Sequence, residues 1–245
     1  MMTISVICVY NNESQFQTQL RKSLNAQNIR YELVGINNSE SSFSSAAAAL
    51  NYGVRKATGD ILIFSHQDIF LKTENELTEL AEAIQSCPIG CIVGTQGVKE
   101  PSKLYYENLT AGREYIPQLN RKYEKKLYEV SCIDEGLFGM LRKTWEAHPF
   151  DEKLCDNWHL YGVEVCLWAR KNGNKVFVYP AHIHHFSMGT ISLGYMKNLK
   201  LLCKEYRADF QYIWTTCYKV RTNPLYMNSL YALWVLNRFL RGKLR

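Results

Sequence analysis

Four consecutive residues, Ser65-His66-Gln67-Asp68, follow an apolar run at 61–64. A carboxylate set just beyond a buried strand needs either solvent or a cation. A hard divalent ion suits a crevice that receives a diphosphate, because the ion neutralises charge building on the leaving group. His66 precedes Asp68 by two residues and shares its side wherever extended geometry continues. The plainer reading is a turn aspartate beside a solvent-facing histidine. A second cluster is His182, His184 and His185. Neutral imidazole binds transition metals, and one of the three is expected as a ligand while the others serve structure. A zinc enzyme would need third and fourth ligands that this spacing does not supply.

Acid–base work falls to Asp134, Glu135, Asp151, Glu152, Asp156 or Glu164. A general base must reach the acceptor hydroxyl with a suitable pKa, which partial burial can raise. Glu164 opens an apolar helical pattern, where a carboxylate also favours the helix dipole. Just before it, Trp158, His159 and Tyr161 offer aromatic faces that can stack on a sugar ring or fill a core.

These side chains need a scaffold. Strand patterns at 4–9, 31–36, 61–64 and 90–95 alternate with helical patterns at 15–25, 44–57 and 74–86. Such alternation predicts an α/β fold, a mostly parallel sheet flanked by helices. Ligands in open sheets bind beyond the carboxyl ends of the strands. The polar tails Tyr10-Asn11-Asn12, Asn37-Asn38 and His66-Gln67-Asp68 therefore converge on one crevice. Residues 100–127 read as a polar surface excursion, and strand character returns at 129–133, 137–141 and 175–179, with a helix at 162–171. From 194 the pattern is helical, with a linker at 221–224.

The 245 residues suffice for one sizeable core, and 47% hydrophobic content argues against global disorder. A net charge of +6 suits anionic partners. The eight cysteines form no Cys-x-x-Cys pair and sit largely in apolar runs, as in a reducing cytosol. The chain enters a strand pattern at once, without a signal-peptide pattern, and no run reaches the ~18 apolar residues of a spanning helix. No basic and aromatic motif of a nucleic-acid binder is present, so no nucleic-acid partner is expected.

Several segments together resemble family-2 glycosyltransferases, especially the bacterial glycosyltransferase-like branch. They are the strand and Tyr-Asn of residues 5–12, the Asn37-Asn38-Ser39 turn, Asn51-Tyr52-Gly53, and the stretch 57–68. Phe150-Asp151-Glu152, the 158–173 block and His185-Phe186-Ser187 extend the likeness to about residue 190. The resemblance implies a GT-A fold, Rossmann-like, of the nucleotide-diphospho-sugar transferase kind. It implies a glycosyltransferase domain at 1–192, with a nucleotide-binding half at 1–98 and an acceptor half at 128–192, and a helical C-terminal appendage at 193–245.

It further implies transfer from a nucleoside-diphosphate sugar to a glycan or lipid-linked acceptor, inverting, with manganese or magnesium. Val9, Tyr10, Asn11, Asn37, Asn51, His66, Gln67 and Asp68 would form the donor site. Asp68 and His185 would hold the metal, Glu164 or Asp134 would deprotonate the acceptor, and Trp158, His159 and Tyr161 would contact it. Three positions depart from the family pattern. His66 replaces the first acid of the metal motif, Asn37 replaces the nucleotide-turn aspartate, and Tyr161-Gly162 replaces the usual Glu-Asp pair. A catalytically weak nucleotide-sugar- or glycan-binding protein on the same fold is the alternative.

The last 21 residues carry Leu and aromatics at helical spacing and end with Arg238, Arg241, Lys243 and Arg245. Such a helix can lie in a membrane interface, or pack on the domain or in a homodimer. The expected location is cytoplasmic, with peripheral contact at the inner face of the membrane.

Overall fold

The computed structural model describes residues 2–101, 104–187, 189 and 191–241; Lys243 and Arg245 of the expected basic end lie outside them. Its first half follows the alternation predicted from sequence. Strands β1 (Ile4–Tyr10), β2 (Glu32–Asn37) and β3 (Ile61–His66) are joined by helical segments. The first segment spans residues 13–24 and winds as a π-helix over Phe16–Arg21. The second, Ala46–Lys56, starts where the Ser45 hydroxyl accepts from the Ala48 N–H. After β3 come β4 (Ile69–Leu71), the helix Glu76–Gln85, β5 (Ile92–Gly94) and β6 (Gln96–Lys99). Then follow β7 (Leu104–Glu107), β8 (Thr110–Ala111), β9 (Tyr128–Val130), β10 (Cys132–Ile133) and β11 (Leu137–Leu141). The chain continues through β12 (Val176–Val178), β13 (Ile183–His185), β14 (Tyr212–Trp214) and β15 (Lys219–Arg221).

Seven strands form the main sheet in the order β2-β1-β3-β11-β5-β12-β9. β1 runs parallel to β2 and β3, and β12 parallel to β5, while β11 and β9 run against their neighbours. The apolar faces of this sheet are covered on both sides, which is why β1 and β3 read as continuous apolar runs. A smaller sheet, β4-β13-β8, pairs His185 with Ile69 and with Ala111. That pairing draws residues 183–185 to the end of β3.

The helix Tyr161–Lys171 is buried almost all round. One side, with Tyr161, Val165 and Ala169, packs on the main sheet. Val163 and Leu167 on the other side join Tyr195, Met196, Leu199 and Trp214 from the C-terminal segment.

Three expectations need correction. The 100–127 stretch is not simply a surface excursion: it supplies β7 and β8, and the fully buried Asn108 side chain donates to the Tyr123 and Pro180 carbonyls. Residues 193–241 are not helical throughout, because the β14–β15 hairpin lies between helices Leu193–Glu205 and Pro224–Leu240. The expected linker at 221–224 is structured. The buried Thr222 hydroxyl donates to the Phe210 carbonyl, and Asn223 caps the last helix. Its polar composition gave the appearance of a loop, but those polar groups are hydrogen-bonded to neighbouring backbone.

Candidate functional site

The parallel register aligns Tyr10 with Asn37 and Val9 with His66, so three strand ends finish at one level. Tyr10 stacks on Phe16 with ring centroids 4.2 Å apart. The exposed Asn37 folds its side chain back to accept from the Ser39 N–H. Gln67 ties two of the strand ends together. Its carbonyl oxygen accepts from the Asn11 and Asn12 N–H groups, and its amide donates to Asn11 Oδ1 and Gln15 Oε1.

Beyond β3 the chain turns, and β13 returns alongside it. The Phe186 N–H donates to the Asp68 carbonyl, which fixes 185–187 against 66–68. His185 Nε2 lies 3.4 Å from Asp68 Oδ1 and 3.1 Å from Ser187 Oγ. His66, Asp68 and His185 present ligand atoms that all lie within 4.8 Å of one another. Burial alone would raise the Asp68 pKa, but the hydrogen bond and charge of His185, with His66 nearby, hold it down at about 2. Burial and the neighbouring His185 lower the His66 pKa, so its imidazole is neutral and free to ligate. The Tyr161 hydroxyl sits 3.1 Å from His66 Nε2 and orients the ring. Two imidazoles and one carboxylate fit a divalent transition ion, manganese included, better than magnesium, which favours oxygen donors.

The other two histidines of the triplet are structural. His184 is fully buried, with Nδ1 at the Thr110 hydroxyl and Nε2 at the Gly112 carbonyl. His182 is also buried, and its backbone N–H donates to Glu76.

Next to the trio opens a cleft of about 720 Å3, lined by His66, Glu107, Asp134, Glu135, His159, His185, Thr216 and Arg238 among others. Asp134 accepts from the Gly136 N–H and from the Thr216 hydroxyl. Glu135 accepts from the Gly162 N–H at 3.0 Å, at the start of the helix Tyr161–Lys171. Burial pushes its carboxyl up to about 8, with the Asp134 charge adding to the effect and the Gly162 and Leu160 N–H groups opposing it. Gly162 is required for this approach, since a Cβ there would stand 2.8 Å from Glu135 Cγ.

Three sequence-derived assignments fail on geometry. Glu164 is fully buried: its carboxylate accepts from the Tyr206 hydroxyl at 2.6 Å and meets His148 Nε2 at 3.0 Å, and it does not line the cleft. Asn51 is buried and saturated. It donates to the Phe150 carbonyl and Glu152 and accepts from Trp145 and the Phe150 N–H, so no donor group remains for a ligand. Tyr161 packs its ring against Phe138 and Phe150, which leaves only its hydroxyl near the site. Trp158 is exposed and adjoins His159, which lines the cleft. Glu107, Thr216 and Arg238 are contributions that no local signal in the sequence indicated; Glu135 was visible beside Asp134.

The fold is that of GT-A glycosyltransferases, a mixed, mostly parallel sheet flanked by helices, here with a cleft beside the strand ends. The profile of the "Glycosyltransferase like family" matches residues 5–215, and the chain belongs to that family, a family-2-like glycosyltransferase. Solved structures agree in fold. GalNAc-T7 with UDP, GalNAc and Mn2+ superposes with a TM-score of 0.59 at 15% identity, over 82% of this chain and 48% of that one. A mannosyltransferase from Pyrobaculum calidifontis with GDP-Man and Mn2+ gives 0.55 at 15% identity, over 85% and 65%. S. aureus TarS 1-349 with UDP-GlcNAc gives 0.55 at 14% identity, over 97% and 73%. The chain thus spans about half the length of the GalNAc-T7 structure. A Fuscovulum blasticum protein, "ATP synthase subunits region ORF 6", is 22% identical over 161 residues, 63% of each chain.

Proposed function

We propose that this chain transfers a sugar from a nucleoside-diphosphate sugar to a hydroxyl of a glycan or lipid-linked acceptor, with inversion, in the synthesis of a cell-surface polysaccharide or glycoconjugate. The observation that carries this reading is the convergence of His66, Asp68 and His185 at the strand ends. A bound manganese ion there would neutralise charge on the leaving diphosphate. The nucleotide takes the side of Val9, Tyr10, Asn11 and Asn37, and Gln67 keeps the two loops in register. GalNAc-T7 with UDP, and the mannosyltransferase with GDP-Man, support a donor of this class.

The acceptor occupies the cleft beside His159. Glu135, rather than Glu164, is the base: it lines the cleft, and with its carboxyl pushed up to about 8 the ionised form, which grows as pH rises towards 8, is a strong proton acceptor. In the single displacement the acceptor oxygen bonds to the anomeric carbon as the bond to the diphosphate breaks, and the hydroxyl proton passes to Glu135. Asp134 sits beside it and, through Thr216, fixes the hairpin that walls the cleft. The C-terminal helix makes peripheral contact with the inner face of a membrane, where a lipid-linked acceptor would be met.

The test incubates the protein with a panel of nucleotide sugars, with and without Mn2+, and follows release of the nucleoside diphosphate. Metal-dependent release that disappears in Asp68→Ala is the expected result. Binding of a donor without release in any condition would favour the non-catalytic alternative.

A further inference from the structure

The helix Pro224–Leu240 is poorly buried for an element so apolar. Met227 is its one fully buried residue. Leu225, Tyr226, Leu233, Leu236, Phe239 and Leu240 share one side of the helix at a spacing of about 3.6 residues, and no charged residue lies among them. Their exposures run from 42% at Tyr226 to 79% at Leu225. The opposite side is anchored. Arg238 donates to the Ile191 carbonyl at 2.7 Å and lies over the Trp234 ring, at the edge of the cleft.

Between this helix and Leu193–Glu205 runs a second groove of about 630 Å3. Lys197, Lys200, Lys204 and Arg207 stand along one wall, and Met227 and Tyr231 form the apolar opposite side. Lys200 lies over the Tyr231 ring, with Nζ 5.3 Å from its centroid. One carboxylate, Asp156, also lines the groove. Among the described residues no carboxylate lies within ion-pair distance of any of the four cations. An unpaired cationic wall continuous with a charge-free apolar face is the pattern of a surface that meets an anionic interface.

We propose that this groove is a binding site for the phosphate headgroup of an anionic phospholipid, engaged while the outer face of Pro224–Leu240 is immersed among the acyl chains. The proposal rests on the peripheral-membrane reading of the C-terminal helix and adds to it the site and the lipid chemistry. The helix lies in the plane of the interface, since no helix among the described residues is long and apolar enough to cross a membrane. A second copy of the chain fits the apolar face less well. A two-fold pairing would bring like residues together, so the cations flanking the helices would face one another in a chain that already carries +6. Because Arg238 reaches the cleft from this same helix, docking in this pose holds the acceptor side near the bilayer surface.

The experiment is flotation of the full chain with phosphatidylcholine vesicles, with and without phosphatidylglycerol, alongside release of nucleoside diphosphate from the donor in solution. The wild type is expected to float with the anionic vesicles and to stay behind with the neutral ones. Lys200→Glu combined with Lys204→Glu should weaken anionic-vesicle binding roughly tenfold or more, with donor hydrolysis unchanged. Leu233→Ser combined with Leu236→Ser should abolish flotation; both side chains are exposed, and the melting temperature reports that the fold is kept. Equal flotation on both vesicle types, insensitive to the lysine reversals, would overturn the headgroup site while leaving a membrane helix. No flotation with any vesicle would overturn both. Stabilisation by inorganic phosphate at fixed ionic strength, lost in the lysine variant and seen without vesicle binding, would reassign the groove to a free anion. A dimer broken by the leucine variant, without vesicle binding, would assign the apolar face to a second copy. Failure of donor hydrolysis with flotation intact would remove the transferase reading and leave this one standing.

Discussion

The two walls of the site are built in different ways. The proposed donor wall comes from three parallel strands, and its side chains end or directly follow each strand: Tyr10 and Asn11, Asn37, and His66 to Asp68. The proposed acceptor wall is assembled from distant segments, with Asp134 and Glu135 after β10, His159 before a helix, Thr216 in a hairpin and Arg238 in the last helix. One wall thus follows from the pairing of successive β-α-β units, completed by His185 from β13. The other exists only when long-range packing has closed around the helix Tyr161–Lys171.

The largest effect that would test this contrast is on Glu135. Glu135→Gln should lower turnover by about 100- to 10,000-fold with the fold retained, and should remove a limb near pH 8 from the rate profile. The same residue makes a stability prediction. Its carboxyl binds a proton more tightly folded than unfolded, so it contributes stability that is complete below the ordinary glutamate range and lost as pH rises towards 8. The wild-type melting temperature should therefore fall across that window more steeply than that of Glu135→Gln. Unchanged turnover with an unchanged pH profile would reduce Glu135 to a cap on the helix.

Glu164 gives the converse case. Glu164→Ala leaves the buried Tyr206 hydroxyl and the half-buried His148 without their partner and should destabilise the fold by about 1–3 kcal/mol in denaturant titrations. Donor hydrolysis by the folded fraction should persist; its loss would return Glu164 to the catalytic machinery. An effect of the same order is expected at Asn51, where Asn51→Ala should cost about 1–3 kcal/mol by leaving Trp145 and the Phe150 backbone unpartnered. The KM for the donor should not change, and a raised KM would place Asn51 back at the donor.

These contrasts also explain what the sequence could and could not reveal. The alternation through β1, β2, β3 and their helices was legible because both faces of the sheet are buried and each strand is a continuous apolar run. Asp68 and His185 were legible as a pair through the family resemblance. His66 was seen beside Asp68 and assigned to the donor site; what the sequence did not offer was its imidazole joining Asp68 and His185 within 4.8 Å. Glu164 misled because a carboxylate in the first turn of an apolar helix has the same signature whether it faces solvent, substrate or a buried tyrosine. The departure at Tyr161-Gly162 pointed towards a missing base, yet Gly162 is the residue that makes room for Glu135. The strands at 104–107 and 110–111 and the β14–β15 hairpin were illegible because strands of two to four residues leave little periodicity, even where the partner is the next strand in the chain.

The central claim, that His66, Asp68 and His185 hold the metal that fixes the donor diphosphate, is tested most directly by calorimetric titration of a nucleoside diphosphate into the protein with and without Mn2+. The account predicts binding that requires Mn2+ and is lost in Asp68→Ala, with His66→Ala weakening it. Equal binding in the absence of metal, or in Asp68→Ala, would contradict it.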